Sequence, residues 1–272
     1  DLGRITAKIT RGAQTITGDL PTLADIPKEV SGIQVPKLAN QKNAQTALAL
    51  MELFTGKQEY IGLKSYAVYL LPGIALALKG VIERHGPGAV GVIGSAELTN
   101  EECWLTRAIF RDGLKIANVD FPARPQPEIA YKRFTIEGDR NPNVRGARLC
   151  GVAPGAQGMG VRDTIQAAAD GRIRALVFLR GGPLEQFGDP ATVERALRQA
   201  ELVVVMDLLP SEVSERAHWV LPGVSFAEKD GTFTNSKGRL QRIRKILTIR
   251  GDTREDWRIL QVPIRSLKEC EK

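Results

Sequence analysis

The sequence has few of the residues that build metal sites and nucleophilic catalytic sites. Its 272 residues include only two histidines, His85 and His218, and three widely spaced cysteines, Cys103, Cys150 and Cys270. No Cys-x-x-Cys pair occurs, so the sequence predicts neither a zinc or iron–sulfur ligand set nor a disulfide scaffold. This cysteine usage fits a reducing compartment.

Long apolar runs are absent as well. The longest, YAVYLLPGIALAL, is interrupted by Pro72 and Gly73 and is shorter than the roughly 18 residues of a membrane-spanning helix. No charged and apolar leader opens the chain, so we expect no secretion signal. Because the first residue is Asp1, we expect the chain to be part of a longer polypeptide. The composition, 43% hydrophobic and 25% charged, is that of an ordinary globular protein.

The positive charge of the chain, +7 in total, is concentrated near its end. Six cations and no acid lie between residues 237 and 250: Lys237, Arg239, Arg242, Arg244, Lys245 and Arg250. Such a basic strip can contact nucleic acid, anionic lipid or an acidic partner. It can also be a solvated strand edge that its cations keep soluble. Composition leaves these alternatives open.

Beyond residue 64, apolar runs alternate with helical patterns, which predicts an α/β fold with Rossmann-type parallel sheets in two halves. The runs AVGVIGSA, IRALVFLRGG and ELVVVMDLLP are typical of strands buried on both faces. We predict three segments. Residues 1–63 form a strand, linker and helix region, 64–143 a first α/β segment with a junction, and 144–272 a second, dinucleotide-binding-like segment.

Local signals refine this outline. Thr99 and Glu102 have the spacing of a capping box, which begins a predicted helix. One apolar face of that helix is predicted to contain Trp104, Leu105, Ala108 and Ile109. The Asp-Gly pair within EKDGT predicts a tight turn between extended segments. A helix over DPATVERALRQA is predicted to have Asp189 as its N-cap and Pro190 at its first position. Another capped helix is predicted to start near Thr253.

Two candidate ligand positions follow predicted strands. Gly181 and Gly182 lie just beyond one buried strand, and Asp207 ends another. Ligands bind at the carboxyl ends of strands in open α/β sheets, and glycines let a phosphate approach backbone N–H groups. The alternative is that the glycines only form a turn and that Asp207 only caps a loop.

Other catalytic patterns are incomplete. Ser95 lies between a predicted strand and a helix but lacks the second glycine of a nucleophile elbow. PGAQGMG does not have the glycine spacing of a dinucleotide-binding loop. Nothing in the sequence brings Asp120, Glu228 and Asp230 together as an acid–base pair. A hydrolase is therefore not predicted.

Several segments resemble the molybdopterin oxidoreductase family. GPGAVGVIGSAELTNEECWLTRAIFR, IRALVFLRGGPL, LVVVMDLLPSEVSERAHWVLPG and FAEKDGTFTNSKGRLQRIRK occur in the family's order, over about residues 64–121 and 144–262. The last segment is most similar to the large iron–sulfur subunit of bacterial NADH-quinone oxidoreductase, which is respiratory complex I. Formate dehydrogenase alpha chains share the segment less closely.

The resemblance implies a cofactor and its contacts. The family uses molybdopterin guanine dinucleotide and iron–sulfur clusters, and the residues at matching positions are Gly181, Gly182, Asp207, Asn235 and Arg239. Departures from the family pattern argue against that chemistry here. Pro125 and Gln126 stand where a metal-ligating cysteine is expected, and His218 replaces an aspartate, which weakens a polar contact to the cofactor.

We therefore expect no catalytic residue, no metal ligand and no cofactor in this chain, with at most a vestigial nucleotide pocket. The expected role is a structural region of the complex I peripheral arm on the inner face of the plasma membrane. Its partners would be other subunits, contacted through Arg242, Arg244 and Lys245, without nucleic acid and without direct membrane insertion. The alternative is a fragment of an active molybdopterin enzyme, such as a formate dehydrogenase alpha chain.

Overall fold

The computed structural model describes residues 6–11, 14–19, 29–30, 33–34, 71–123, 126–139, 141–249 and 253–261. The chain divides into two compact units, Asp1–Gly73 and Ile74–Lys272. In the first, two antiparallel pairs form: β1 (Thr6–Arg11) with β2 (Gln14–Asp19), and β3 (Glu29–Val30) with β4 (Ile33–Gln34). Strands are thus present in the region 1–63, as predicted, whereas the helix predicted for that region lies outside the described residues.

The second unit contains the remaining elements. Its strands are β5 (Val90–Ile93), β6 (Asn118–Asp120), β7 (Ile129–Ala130), β8 (Thr135–Ile136), β9 (Ala175–Leu179), β10 (Leu202–Asp207), β11 (Trp219–Pro222), β12 (Gly231–Thr234) and β13 (Leu240–Ile243). Its α-helices are α1 (Leu71–His85, which begins in the first unit), α2 (Asn100–Thr106), α3 (Val144–Leu149), α4 (Val161–Ala169) and α5 (Pro190–Gln199). Residues 256–261 are also helical. No helix of the described residues is long and apolar enough to cross a membrane.

A five-stranded sheet in the order β11-β10-β9-β5-β6 forms the centre of this unit, and all its neighbouring strands are parallel. The predicted α/β class is confirmed. Strands of both predicted α/β segments, 64–143 and 144–272, lie in this one sheet. The sheet is recognisable from sequence because β5 and β9 are buried at every position, as expected for strands covered on both faces.

The core on one side of the sheet is formed by α4 and α5, which pack against each other. Their apolar residues join those of β9 and β10 in one cluster that includes Ile165, Phe178, Leu197 and Val205. Helix α5 begins as its sequence predicts, because Asp189 accepts a hydrogen bond from the Thr192 amide and Pro190 occupies the first turn.

The predicted apolar face of α2 is wrong at one position. Leu105 and Ile109 are buried, but the Trp104 side chain is 58% exposed. The buried face instead includes Glu102 and Cys103. The buried stripe keeps the α-helical spacing from Glu102 through Leu105 to Ile109, and Trp104 lies outside it. The helix continues as a π-helical turn over Arg107–Gly113.

The turn predicted at EKDGT is also displaced. A short 3₁₀ turn over Phe226–Glu228 precedes an extended Lys229 and leads into β12. The tight turn lies instead between β12 and β13, where Gly238 has φ +80°. The predicted helix start near Thr253 is observed three residues later, at residue 256.

The close packing of β5 gives a first prediction. A Cβ on Gly91 would lie 2.3 Å from Cγ2 of Thr164 and 3.2 Å from Cδ2 of Leu176. We expect Gly91→Ala to lower the free energy of unfolding by about 1–3 kcal/mol through overpacking, measured by urea denaturation. Gly88→Ala is the control, because nothing lies within 4 Å of its Cβ position. Equal stability of the two variants would contradict the packing described here.

Candidate functional site at the switch point of the sheet

The strand order places the candidate site. When the five strands are renumbered by their order in the chain, the sheet reads 2-1-3-4-5 from β6 to β11. The direction in which successive strands are added reverses between β5 and β9. In open sheets of this type the ligand crevice lies at that reversal, outside the carboxyl ends of the two strands. Here β9 is followed by Arg180, and β5 leads through a loop to the first turn of α2.

A buried cluster of four charged side chains joins these two strand ends. Lys229 Nζ donates to both carboxylate oxygens of Glu102 at 2.8 Å and to Asp256 Oδ2 at 2.5 Å. Arg180 Nη2 donates to the same Asp256 oxygen at 2.6 Å. Glu102 and Asp256 are fully buried, Lys229 is 1% exposed and Arg180 6%. We call these four residues the ion cluster.

Local structure explains how each carboxylate and cation reaches this point. The Thr99–Glu102 capping box fixes Glu102 in the first turn of α2, because its Oε2 also accepts the Thr99 amide at 2.9 Å. Asp256 begins the helix at 256–261. Arg180 has φ +106°, a conformation that costs a non-glycine residue about 1–3 kcal/mol, and its guanidinium is held by Asp256 and the Val224 carbonyl.

The cluster is electrically balanced, with two acids and two cations. Burial raises the pKa of Glu102, and the nearby charge of Asp256 raises it further, while Lys229 opposes both effects. Nε and Nη1 of Arg180 and Oδ1 of Asp256 are buried without a hydrogen-bond partner among the described residues. Gly223 packs against this point, since a Cβ there would lie 2.1 Å from Asp256 Oδ1. The cluster therefore lies at the strand ends that border the crevice and leaves no space for a side chain at residue 223.

The predicted ligand residues Gly181 and Asp207 lie beside the cluster and contact each other. Asp207 Oδ2 accepts the Gly181 amide at 3.1 Å and the Ser211 hydroxyl at 2.9 Å, and its Oδ1 accepts the Leu208 amide at 2.8 Å. A Cβ on Gly181 would lie 2.3 Å from Asp207 Oδ2. This close approach explains why residue 181 is glycine, and the amide that could bind a phosphate is already bonded.

The other predicted ligand residues lie in or beside two different loops. A Cβ on Gly182 would lie 2.4 Å from Oε1 of Gln186, so Gly182 packs within the loop after β9. Asn235 organises the β12–β13 turn, because its Oδ1 accepts the amides of Lys237 at 3.1 Å and Arg239 at 2.9 Å. The Arg239 side chain is exposed. The assignment of these residues to a cofactor stays a prediction.

The basic residues predicted to contact a partner lie in and just after β13. Arg242, Arg244 and Lys245 are all exposed. Arg242 also lines an open groove of about 880 Å³ whose other walls include Trp104, Trp257, Arg258 and Glu101. The guanidinium of Arg258 lies 4.9 Å from the centre of the Trp257 ring. The hairpin thus presents its cations to solvent and to this groove.

The remaining sequence candidates have structural contacts. Asp120 Oδ2 accepts the Val161 amide at 3.0 Å and so caps α4, and Ser95 Oγ accepts the Glu97 amide at 3.1 Å. Cys103 is buried, and burial raises the pKa of its thiol well above the ordinary value. No group of three or more His, Cys, Asp or Glu side chains among the described residues is arranged to hold a metal ion.

The position of His218 corrects one implication of the sequence. Its Nδ1 accepts the Val203 amide at 2.9 Å, and His218 immediately precedes β11 at the amino-terminal edge of the sheet. Ligands bind at the opposite, carboxyl edge. The replacement of an aspartate by His218 therefore removes no polar group from the crevice, and the expected weakening of a cofactor contact there is wrong.

Sequence reasoning does not identify the ion cluster. The sequence indicates Glu102 only as half of a capping box, and Lys229 only as the neighbour of a turn. The sequence does contain a signal for Arg180. This cation directly follows the apolar run ALVFL, which indicates a charged side chain at the end of a buried strand. The four residues come from distant segments, and no spacing in the sequence indicates that they contact each other.

The fold and site together define a parallel α/β domain of the doubly wound type, whose switch point is occupied by its own charged side chains. Residues 144–262 match the family model described as Molybdopterin oxidoreductase. This match lies within the two stretches over which the sequence resembles that family.

Curated relatives are oxidoreductase subunits. The chain is 38% identical over 107 residues to the NADPH-Fe(3+) oxidoreductase subunit alpha of Geobacter sulfurreducens, covering 39% of this chain and 13% of that protein. It is 39% identical over 122 residues to the G subunit of NADH-quinone oxidoreductase of Streptomyces coelicolor, covering 43% and 14%. It is 33% identical over 143 residues to the F420-dependent formate dehydrogenase subunit alpha of Methanocaldococcus jannaschii, covering 52% and 19%.

The matches to these relatives thus span less than one fifth of each relative's length. Among solved structures, acetylene hydratase from Pelobacter acetylenicus is similar, with 18% identity, a TM-score of 0.36 and coverage of 42% of this chain and 16% of that one.

The ion cluster generates a stability prediction. Lys229→Met leaves Glu102 and Asp256 buried without their shared cation, so we expect the free energy of unfolding to fall by about 3–5 kcal/mol. Lys237→Met in the exposed turn is the control and should change it by less than about 0.5 kcal/mol. Urea denaturation of both variants at neutral pH measures the difference.

The same variant has a defined pH dependence. Without Lys229 the folded-state pKa of Glu102 rises further above its unfolded value, so the folded state binds a proton more tightly than the unfolded chain. The stability deficit relative to wild type should therefore shrink as the pH falls from neutral towards about 4.3. A deficit that stays constant over this range would show that Glu102 does not depend on Lys229.

His218 gives a second pH prediction, in which acid lowers the stability of the wild-type protein. Partial burial lowers the pKa of its imidazole, so the folded state binds fewer protons and loses stability as the pH falls below about 6.5. His218→Asn, which keeps an acceptor for the Val203 amide, should lose less stability between neutral and mildly acidic pH than wild type. His218→Ala should lose about 0.5–1.5 kcal/mol at neutral pH. Identical pH profiles for wild type and His218→Asn would contradict this assignment.

Proposed function

We propose that this chain is a non-catalytic structural region of a multi-subunit oxidoreductase, of the kind represented by the large iron–sulfur subunit of NADH-quinone oxidoreductase. In this role it supports electron transfer by iron–sulfur clusters elsewhere in the complex. The observation that carries the proposal is the ion cluster. Lys229 and Asp256 tie together the two strand ends that border the crevice where a doubly wound sheet binds its ligand.

The residues present do not fit the molybdenum chemistry of the family. The stretch FPARPQPEIA follows β6, where the sequence resemblance implies the metal-ligating loop, and it contains no cysteine or serine. At the strand ends, the Gly181 amide and the Asp207 carboxylate are bonded to each other. The Gly181 amide, which could donate to a phosphate, is therefore engaged within the protein.

The proposed partners are other subunits of the complex, including the peripheral-arm subunits of complex I. Relatives that are named as single subunits of larger oxidoreductases support a multi-subunit setting. The exposed cations Arg242, Arg244 and Lys245 are the proposed contact residues. In such a complex the chain would lie at the inner face of the plasma membrane through its partners.

A second candidate is favoured by the similarity to formate dehydrogenase alpha subunits. The 33% identity to the Methanocaldococcus jannaschii protein extends over 143 residues, which is 52% of this chain. In this case the chain would be part of an active molybdopterin enzyme. Gly181, Gly182, Asp207, Asn235 and Arg239 would then contact the pterin dinucleotide.

Cofactor content separates the two candidates. The native polypeptide that contains this chain should be purified with its partner subunits and assayed for molybdenum, tungsten and pterin fluorescence. We expect substoichiometric metal and no pterin, because charged side chains of the protein lie at the strand ends that border the crevice. A molybdopterin enzyme purified from the same cells is the positive control. Stoichiometric metal together with pterin would overturn the proposal and support the second candidate.

A further inference from the structure

The two edges of the β12–β13 hairpin differ in how their backbone groups are satisfied. On the outer edge of β12, the Thr232 amide donates to Glu101 Oε2 at 2.9 Å and the Thr234 amide donates to Asn143 Oδ1 at 2.7 Å. Side chains of α2 and of the segment before α3 therefore cover this edge. These bonds also show that Thr232 and Thr234 point their backbone groups away from β13.

The register then fixes the direction of the β13 backbone. Thr232 pairs with Arg242 and Thr234 with Leu240. In an antiparallel ladder, residues opposite each other either exchange both hydrogen bonds or direct both sets of backbone groups outward. The N–H and C=O groups of Leu240 and Arg242 therefore face away from β12. In the described part of the chain no strand pairs with that edge.

The residues of β13 and those just beyond it are both apolar and basic. Leu240 is 65% exposed, and Ile246 and Leu247, just beyond β13, are 78% and 55% exposed. The cations Arg239, Arg242, Arg244 and Lys245 lie among them, and the sequence contains no acid from residue 237 to 250. A purely protective edge combines cations with polar residues or proline, whereas this edge also offers apolar contact area.

We propose that the outer edge of β13 binds an extended, acidic segment of a partner protein, which adds a third strand to the hairpin. The partner backbone would pair with Leu240 and Arg242, and its carboxylates would meet the surrounding cations. Strand addition of this kind draws affinity from main-chain hydrogen bonds and selectivity from alternate side chains. The inference rests on the proposed function and deepens it, because it specifies the chemistry of the partner contact.

Charge alone would also suit nucleic acid, but the geometry favours a polypeptide. Base stacking on aromatic side chains supports most single-strand binding. Phe233, the one aromatic residue in β12 or β13, is half-buried. Trp104 and Trp257 line the groove beside Arg242 but belong to two helices outside the hairpin. The outward row of alternating N–H and C=O groups matches another strand and has no counterpart in a phosphate backbone.

The proposal can be tested with the full chain and a fluorescein-labelled peptide of alternating valine and glutamate, about ten residues long and so long enough to span a strand. We expect saturable binding by fluorescence anisotropy that weakens with salt, with slower hydrogen exchange at the Leu240 and Arg242 amides. Controls are the same peptide with alternate amides N-methylated, a valine–lysine peptide and a labelled single-stranded DNA. Equal or tighter binding of any control, or no binding of the acidic peptide, would overturn the proposal.

Variants separate the backbone contribution from charge. Arg242→Ala removes only the side chain, whereas Arg242→Pro also removes the outward N–H without affecting a hairpin bond. We expect the proline variant to bind at least about threefold more weakly than the alanine variant, the equivalent of one hydrogen bond. Leu240→Pro tests the same point independently. Equal affinity of the proline and alanine variants at residue 242 would contradict strand addition.

Charge reversal has a matched control. Arg242→Glu should weaken binding of the acidic peptide, and Arg162→Glu, an exposed residue of α4, changes the net charge equally at a remote position. Thermal unfolding of each variant shows whether the fold is retained. Cofactor content, measured separately, tests the proposed function. Failure of peptide binding would therefore leave the proposed function standing, and the presence of the cofactor would leave peptide binding standing.

Discussion

The contact between Lys229 and its two carboxylate partners holds the second unit together. Its ammonium bonds to Glu102 from the helix after β5 and to Asp256 from the final described helix, and Asp256 in turn binds Arg180 after β9. Removing Lys229 would leave Glu102 buried without a charged partner, and removing Asp256 would do the same to Arg180. Such a loss is far more costly than losing a surface ion pair. Segments distant in sequence are thereby fixed around the ends of the two central strands.

The ion cluster gives the switch point of the sheet a structural role. A doubly wound sheet creates a crevice at the reversal of its strand order because the connecting segments diverge there. In this chain, charged side chains lie at the strand ends that border that crevice, and the neighbouring Asp207 is bonded to Gly181 and Ser211. The glycines that suggested a phosphate site are explained by close approach within the protein. The similarity to molybdopterin oxidoreductases is one of sequence over residues 144–262, while the local contacts support the proposed role without that cofactor.

The hairpin connects this interior to the surface. Lys229 lies in the ion cluster and Gly231 begins β12 two residues later, so the buried contact anchors the start of the hairpin. Glu101 and Asn143 cover the outer edge of β12, while β13 remains an open edge among the described residues. A rigidly anchored strand that carries cations and exposed leucines is suited to contact between subunits, because little order is lost on binding.

Local sequence patterns were sufficient to predict the α/β class, the three central strands and the caps of α2 and α5. These features depend on apolar runs and on hydrogen bonds within four residues, which spacing reveals directly. Tertiary packing decided which side chains are exposed and where the turn lies: Trp104 is exposed, and the turn is at residues 235–239. It also placed His218 at the amino-terminal edge of the sheet. Only the tertiary structure brings the ion cluster together, namely Glu102, Arg180, Lys229 and Asp256. The ion cluster joins residues up to 154 positions apart, from Glu102 to Asp256. Such pairings follow from the topology of the sheet, which short-range patterns do not encode.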